Sequence, residues 1–266
     1  MHRLIDICFN FTHSSYRQDE IRTLQRAVLS GVTRMLVTGS DLEDSEFAVE
    51  LAERYPENLY ATVGVHPHLA RTWDAHTTSR LRELAAHPKV RAIGEAGLDF
   101  NRNYSAPEQQ QRAFETQLEL ACELGLPLFM HERDAHQTFI ETIRRYRSDF
   151  SQGVVHCFTG TEAELEAYLD LDLHIGITGW ICDERRGHHL KEFLHKVPPD
   201  RLMIETDAPY LLPRDLDPKP STRRNEPMYL PHILKTVAAA IGRPEAEVAA
   251  ATRATSEAFY GLESEE

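Results

Sequence analysis

Eight short, almost continuously apolar runs recur along this 266-residue chain, and amphipathic stretches separate them. The runs are Leu4 to Cys8 (interrupted only by Asp6), Met35 to Val37, Leu59 to Val65, Val90 to Ile93, Leu128 to Met130, Gly153 to Val155, Ile175 to Thr178 and Leu202 to Ile204. Runs this short and this uniformly apolar predict strands buried on both faces rather than half-solvated strands or helices. The spacers carry helical periodicity: Ile21, Leu24 and Val28 over Asp19 to Ser30; Leu81, Leu84 and Ala85; Phe114, Leu118 and Ala121; Phe139, Ile143 and Tyr146; Leu165 and Leu169. Two further helices are predicted around Leu230 to Ile241 and Glu245 to Phe259. Eight such strands alternating with amphipathic helices predict an α/β chain folded as a (β/α)8 TIM barrel. The rival, an open doubly wound sheet, is disfavoured because no G-x-G-x-x-G follows any strand. No shift of composition divides the chain, so residues 1–266 are read as a single domain.

Apolar residues at 41% and charged residues at 27% allow such a core with an ordinary soluble surface. A formal net charge of −13 argues against broad adhesion to nucleic acid or anionic membrane, though not against a small basic pocket. Cys8, Cys122, Cys157 and Cys182 are scattered without a C-x-x-C pair, as expected of reduced thiols. No apolar run approaches the roughly 18 residues of a membrane span, and the N-terminus lacks the apolar core of a signal peptide. The expected location is the cytoplasm, with no membrane partner.

In a barrel of this kind the active site lies where the strands end. The residues there are His66 after strand three, Glu95 after four, His131 after five, His156 after six and Asp207 after eight. Glu95 sits in Gly94-Glu95-Ala96-Gly97, which reads as a strand opening into a glycine-flexed loop with room for close approach. Taken singly, each of these residues has a structural explanation as a cap, a turn residue or a core histidine. Together on one rim, the carboxylates would repel each other unless a cation neutralised them, which favours a metal site. Mixed imidazole and carboxylate donors suit Zn²⁺, Mn²⁺ or Fe²⁺, whereas Mg²⁺ more often takes oxygens. Water activated there would be the nucleophile, with Asp207 placed to hold and deprotonate it.

Several motifs match a known family. GVHPH at Gly64 to His68, IGEAGLDF at Ile93 to Phe100, MHERDA at Met130 to Ala135, HCFTG at His156 to Gly160 and ETDAPYLLPR at Glu205 to Arg214 resemble the TatD family of metal-dependent deoxyribonucleases. NRNY at Asn101, GWICDERRG at Gly179 and RRNEP at Arg223 bring the resemblance closest to its 3′→5′ exonuclease branch. The resemblance spans the chain and implies a TIM barrel, divalent-metal hydrolysis of phosphodiesters, and removal of nucleotides from the 3′ ends of single-stranded DNA and RNA. It also implies a part in repair after oxidative DNA damage. It assigns the metal ligands to Glu95, His131, His156 and Asp207, with Glu95 and Asp207 as the catalytic pair and Mg²⁺ as the expected ion, Mn²⁺ or Zn²⁺ being the alternatives. One departure stands out: where many members carry H-x-H at the end of strand one, this chain has Cys8 and Asn10. Asn offers one weak carbonyl and Cys favours softer ions, so one firm metal site and one weaker site are expected.

His66, His68 and Arg133 are expected to orient the ligands or contact phosphate. The basic candidates for gripping substrate are Arg185 and Arg186 after strand seven, then Arg214, Lys219, Arg223 and Arg224 after strand eight. Loops after the seventh and eighth strands often bind phosphate, and a guanidinium fork matches it bidentately. Trp180, Tyr210 and Phe100 are candidates for stacking on exposed bases. The leading expectation is therefore a metal-dependent 3′→5′ exonuclease acting as a monomer. The alternative is a barrel amidohydrolase or deacylase cleaving a C–N or ester bond, and a non-catalytic nucleic-acid binder is a third class. An enzyme that grips only a strand end should show a modest salt dependence of binding, equivalent to about two to four neutralised phosphates. Titrating oligonucleotide affinity against salt checks this, and a slope equivalent to about ten contacts would contradict it.

Overall fold

The computed structural model describes residues 2–264. Its strands are β1 (Leu4–Phe9), β2 (Val32–Val37), β3 (Leu59–Val63), β4 (Val90–Asp99), β5 (Leu128–Arg133), β6 (Gly153–Val155), β7 (His174–Ile177) and β8 (Leu202–Ile204). They form one eight-stranded sheet in chain order, and Phe9 of β1 bridges in parallel to Ala208, just beyond β8. This is the (β/α)8 barrel arrangement. The helices are α1 (Glu20–Leu29), α2 (Leu42–Arg54), α3 (Ala75–Ala85), α4 (Pro107–Leu124), α5 (His136–Tyr146), α6 (Glu162–Leu169), α7 (Leu190–Phe193), α8 (Leu230–Ile241) and α9 (Glu245–Tyr260). No helix among the described residues is long and apolar enough to cross a membrane. The described residues fall into two compact units: 2–36 with 157–162 and 175–264, and 37–156 with 163–174.

In the second of these units β3, β4, β5 and β6 pair in parallel. The expectation that strand four stops at Ile93 is corrected: β4 continues to Asp99, shifts register between Ile93 and Ala96, and then pairs residue by residue with β5 from Ala96↔Met130 to Asp99↔Arg133. The two glycines that suggest a loop serve this pairing. Gly94 (φ +144°) and Gly97 (φ +145°) hold backbone conformations that side chains rarely adopt, and a Cβ on Gly97 would lie 1.9 Å from the carbonyl oxygen of His131. The close approach is that of the neighbouring strand rather than of a ligand. One consequence is positional. Glu95 and Asp99, four residues apart on β4, meet the two ring nitrogens of the same histidine, His131.

Helix α4 then fixes the loops that leave β3 and β4. Gln117 and Gln110, seven residues apart on its buried face, each reach a loop as a substitute peptide. Gln117 accepts from Val65 N at 2.8 Å and donates to Val65 O at 3.0 Å. Gln110 accepts from Asp99 N at 2.8 Å and donates to Asp99 O and Ser105 O at 3.0 and 2.9 Å. The backbone leading to His66 and the backbone at Asp99 are thus held by one helix.

The other unit contains β1, β7, β8 and the C-terminal helices. β7 and β8 pair in parallel from Ile175↔Leu202 to Ile177↔Ile204. Helix α1 departs from expectation: it buries Thr23, Leu24 and Ala27, while Ile21, Val28 and Leu29 face solvent. Its buried stripe is narrow and built on small side chains, so the apolar spacing alone picks the wrong face.

Replacing Gly97 with Ala forces a carbon into the β5 carbonyl at a φ that Ala resists. We expect a loss of more than about 3 kcal/mol in urea unfolding, with the β4–β5 pairing displaced. A loss below about 1 kcal/mol would show that the strands can separate at little cost.

Candidate metal centre

Glu95 lies at the heart of the site in the unit that holds β3 to β6. It is nearly fully buried, and its Oε1 is 2.8 Å from Nε2 of His156, 3.1 Å from Nδ1 of His131 and 3.3 Å from Nε2 of His66. Each imidazole is delivered by a different strand end: His66 just after β3, His131 within β5, His156 just after β6. A buried ionised carboxylate is tolerable only with such partners.

The hydrogen bonds assign the protons. His66 Nδ1 accepts the backbone N–H of His68 at 3.0 Å, so the ring proton sits on Nε2 and points at Glu95. Burial pushes His66 down to about 4 in spite of Glu95, and the ring is neutral at pH 7. His131 is different because it stands between two carboxylates, Glu95 at Nδ1 and Asp99 at Nε2, 3.3 Å away. Burial works to lower its pKa, but the bonds to Asp99 and Glu95 outweigh burial and raise it. Burial likewise acts to raise Glu95, and the surrounding imidazoles hold it well below the ordinary carboxylate range. Asp99 is buried and follows the same pattern, its carboxylate bonded by His131, His68 (2.8 Å) and the backbone N–H of Arg102.

Among the described residues, His66, Glu95 and His131 offer donor atoms that lie within 4.8 Å of one another. Two buried carboxylates compensated by imidazoles, with His131 between them, are a donor set that fits a divalent metal ion. The structure thus brings Glu95, His131 and His156 together, and places His66 nearer to Glu95 than its expected orienting role. His68 reaches the cluster through Asp99, a residue that sequence reasoning missed. Arg133 is exposed at the end of β5.

Asp207 belongs to the other unit and is held just as deliberately. Its backbone is left-handed (φ 55°), a conformation that Asp tolerates better than most residues. Its N–H donates to Cys8 O at 3.0 Å. Its Oδ1 accepts from Asn10 Nδ2 at 2.9 Å and from the Cys8 thiol at 3.5 Å. The two residues that replace the H-x-H pair therefore act as neutral hydrogen-bond donors to this carboxylate. Beneath them Asp6, fully buried in β1, accepts from Thr206 N at 2.9 Å, from the Thr206 hydroxyl and from Cys8 N at 3.2 Å. Asn225 secures the same turn by donating to Thr206 O and Tyr210 O.

In this unit the basic residues sort into two groups. Asp183, buried, accepts from Arg185 at 3.0 and 3.1 Å and from Arg186 at 3.1 Å, and pairs with Arg214 at 3.7 Å. Three exposed guanidiniums thus gather around Asp183, and Arg214 also pairs with the exposed Glu184 at 3.6 Å. Arg186 also lies 4.1 Å over the ring of Trp180. Arg224, by contrast, is committed to Asp19 and Glu226 at 2.7 Å each and stacks on Tyr16. Its role is to anchor the loop. Arg223 and Lys219 are exposed, as is Tyr210, while Phe100 and Trp180 are half-buried.

A sheet of eight parallel strands with imidazoles and carboxylates at its strand ends defines a barrel of the metal-dependent hydrolase class. Comparison with known proteins narrows the class. The family model for TatD-related DNases matches residues 5–261, and the chain belongs to this family. It is similar to a 3′-5′ ssDNA/RNA exonuclease TatD of Escherichia fergusonii, 49% identical over 97% of this chain and 99% of the relative. A protein of the same name from Musicola paradisiaca is 52% identical over 89% of each chain. Among solved structures, a TatD homologue from Escherichia coli K12 superposes with a TM-score of 0.89 at 28% identity, covering 98% of this chain and 99% of that one. A TatD family hydrolase from Entamoeba histolytica gives 0.90 at 27% identity with the same coverage.

Burial raises Asp6 from 3.8 to about 7 against its hydrogen bonds from Thr206 and Cys8. The unfolded chain gives up this proton near pH 4, whereas the folded chain keeps it to about pH 7. Folding stability due to this group should therefore fall as pH rises from about 4 to 7, by up to about 4 kcal/mol. Asp6→Asn should flatten the decline in denaturant midpoint between pH 5 and pH 8. An unchanged slope would mean that Asp6 is ionised in the folded chain.

Proposed function

We propose that this protein is a metal-dependent exonuclease that removes nucleotides from the 3′ ends of single-stranded DNA and RNA. The observation that carries the proposal is the ionised, buried Glu95 ringed by His66, His131 and His156. A pure binding protein has no use for a buried carboxylate held charged among three imidazoles. Likeness to relatives of that name along nearly the whole chain supports the choice of substrate.

In this reading Glu95, His131 and His156 hold the ion, and His66, with Nε2 turned to Glu95, stands beside them as a further candidate. A bound divalent cation would supply Lewis acidity, sharpening a water for attack and offsetting charge on the phosphoryl oxygens. Asp99 keeps His131 and His68 oriented, as outer carboxylates do for ligating histidines. Because His131 must be neutral to ligate, metal affinity should weaken as pH falls. We assign Asp207 to accepting the proton from the attacking water, supported by its motif and by the donors that fix its rotamer. Arg185, Arg186 and Arg214 are assigned to the phosphates of the strand, with Arg133 and Arg223 as outer contacts.

Mg²⁺ is the ion we propose, with Asn10 and Cys8 favouring one firm site over two. The proposal extends to one domain over residues 1–266, a monomer, a cytoplasmic location and a part in repair of oxidised DNA. The arginines grouped on Asp183 weigh against the amidohydrolase or deacylase alternative, whose substrates carry no phosphate chain.

Digestion of a 5′-labelled single-stranded oligonucleotide should yield a ladder shortening from the 3′ end with Mg²⁺ and none with EDTA. Glu95→Gln should reduce the rate by roughly 10²–10³-fold or more. Intact substrate under every metal, or cleavage indifferent to Glu95, would overturn the proposal.

A further inference from the structure

Away from Glu95 and Asp207, one cluster of metal-seeking side chains has no part in the reaction. Cys182 lies just after β7, Asp215 in the loop after β8, and His232 in the first turn of α8. Their donor atoms lie within 4.8 Å of one another. His232 Nε2 is 2.7 Å from Asp215 Oδ1, and the Cys182 thiol, fully buried, is 3.4 Å from the Thr236 hydroxyl one turn along α8. A thiol, an imidazole and a carboxylate brought from three separate segments to one point differ from a chance surface ion pair in their chemistry.

We propose that Cys182, Asp215 and His232 form a second metal site, selective for a borderline ion such as Zn²⁺ and separate from the hydrolytic centre. Sulfur, nitrogen and oxygen donors together match Zn²⁺ and disfavour Mg²⁺, which takes hard oxygens. Asp215 is exposed, so a fourth, tetrahedral position is open to water from that side. Tetrahedral bonds of about 2.0–2.3 Å require the His232–Asp215 pair to open by about half an ångström. An exposed loop residue can supply that movement. Burial pushes the Cys182 thiol up to about 12, partly offset by Thr236, so without metal it stays protonated and is a poor nucleophile. Binding releases the thiol proton to solvent, and His232 enters as the neutral imidazole.

The site would act through its sequence neighbours. Cys182 and Asp215 are adjacent to Asp183 and Arg214, which pair with each other at 3.7 Å. A metal joining the first two residues holds the second two in register, along with Arg185 and Arg186. The proposed ion is therefore structural, a clasp between the loops after β7 and β8 fastened to α8.

The test uses the full-length protein, reduced and stripped with chelator, then titrated with Co²⁺. A cobalt–thiolate bond gives a near-ultraviolet charge-transfer band that imidazole and carboxylate ligands do not. We expect the band to saturate at one ion per chain in the wild type and in Glu95→Gln. It should vanish in Cys182→Ser. Asp215→Asn, a change at an exposed position, should weaken Co²⁺ binding by at least the ~10–100-fold that losing an outer-shell partner costs. Zn²⁺ should abolish the band by displacement, and Mg²⁺ in excess should not. Absence of the band in the wild type, or its persistence in Cys182→Ser, would overturn the proposal whatever the nuclease assay shows.

Discussion

A carboxylate cannot remain charged inside a protein without compensation, and the arrangement around Glu95 obeys that constraint. Moving an ion into a medium of low dielectric constant is so unfavourable that every neighbour must contribute. Here the neighbours are imidazoles from the ends of β3, β5 and β6, brought to the same oxygen by parallel strands that end on one side of the sheet. The parallel sheet is thus a means of aiming. Asp99 extends the logic outward, because a histidine shared between two carboxylates keeps its proton and its orientation at once.

The same constraint explains how rigid the surroundings are. Gly94 and Gly97 let β4 press against β5, and the two glutamines of α4 cap the backbone on either side of the cluster. An amide side chain that both accepts and donates to one residue's backbone imitates a strand pairing where no strand is present. Leaving either loop without it would strand polar groups at roughly 1–3 kcal/mol apiece. Residues that look remote in sequence, Gln110 and Gln117, are therefore tied to the histidines by hydrogen bonding rather than by chemistry.

Much of this is legible in the chain and some is hidden for physical reasons. Apolar runs buried on both faces have an unmistakable pattern, and all eight strands stand where such runs occur, with β6 and β8 bounded as expected. The pattern cuts β4 short because glycines usually mark turns, whereas here they mark close strand contact. Carrying the strand through Gly97 brings Asp99 to the same histidine as Glu95. The sequence sets His66 on the rim but gives it only an orienting role, because its approach to Glu95 depends on the Pro67 turn and the bond from His68, neither visible as a spacing. Asn10 and Cys8 look like lost ligands. Their gain, as donors to Asp207, depends on a contact across about 200 residues of chain that no local pattern encodes.

The sharing of Asp183 among Arg185, Arg186 and Arg214 has an entropic side. A free arginine side chain surrenders up to about 1.5–2 kcal/mol of rotamer freedom when it is immobilised. Three guanidiniums already gathered on one buried carboxylate have given up much of that freedom in the folded chain. An incoming anion would find them as a partly preset comb, with less freedom left to surrender on contact.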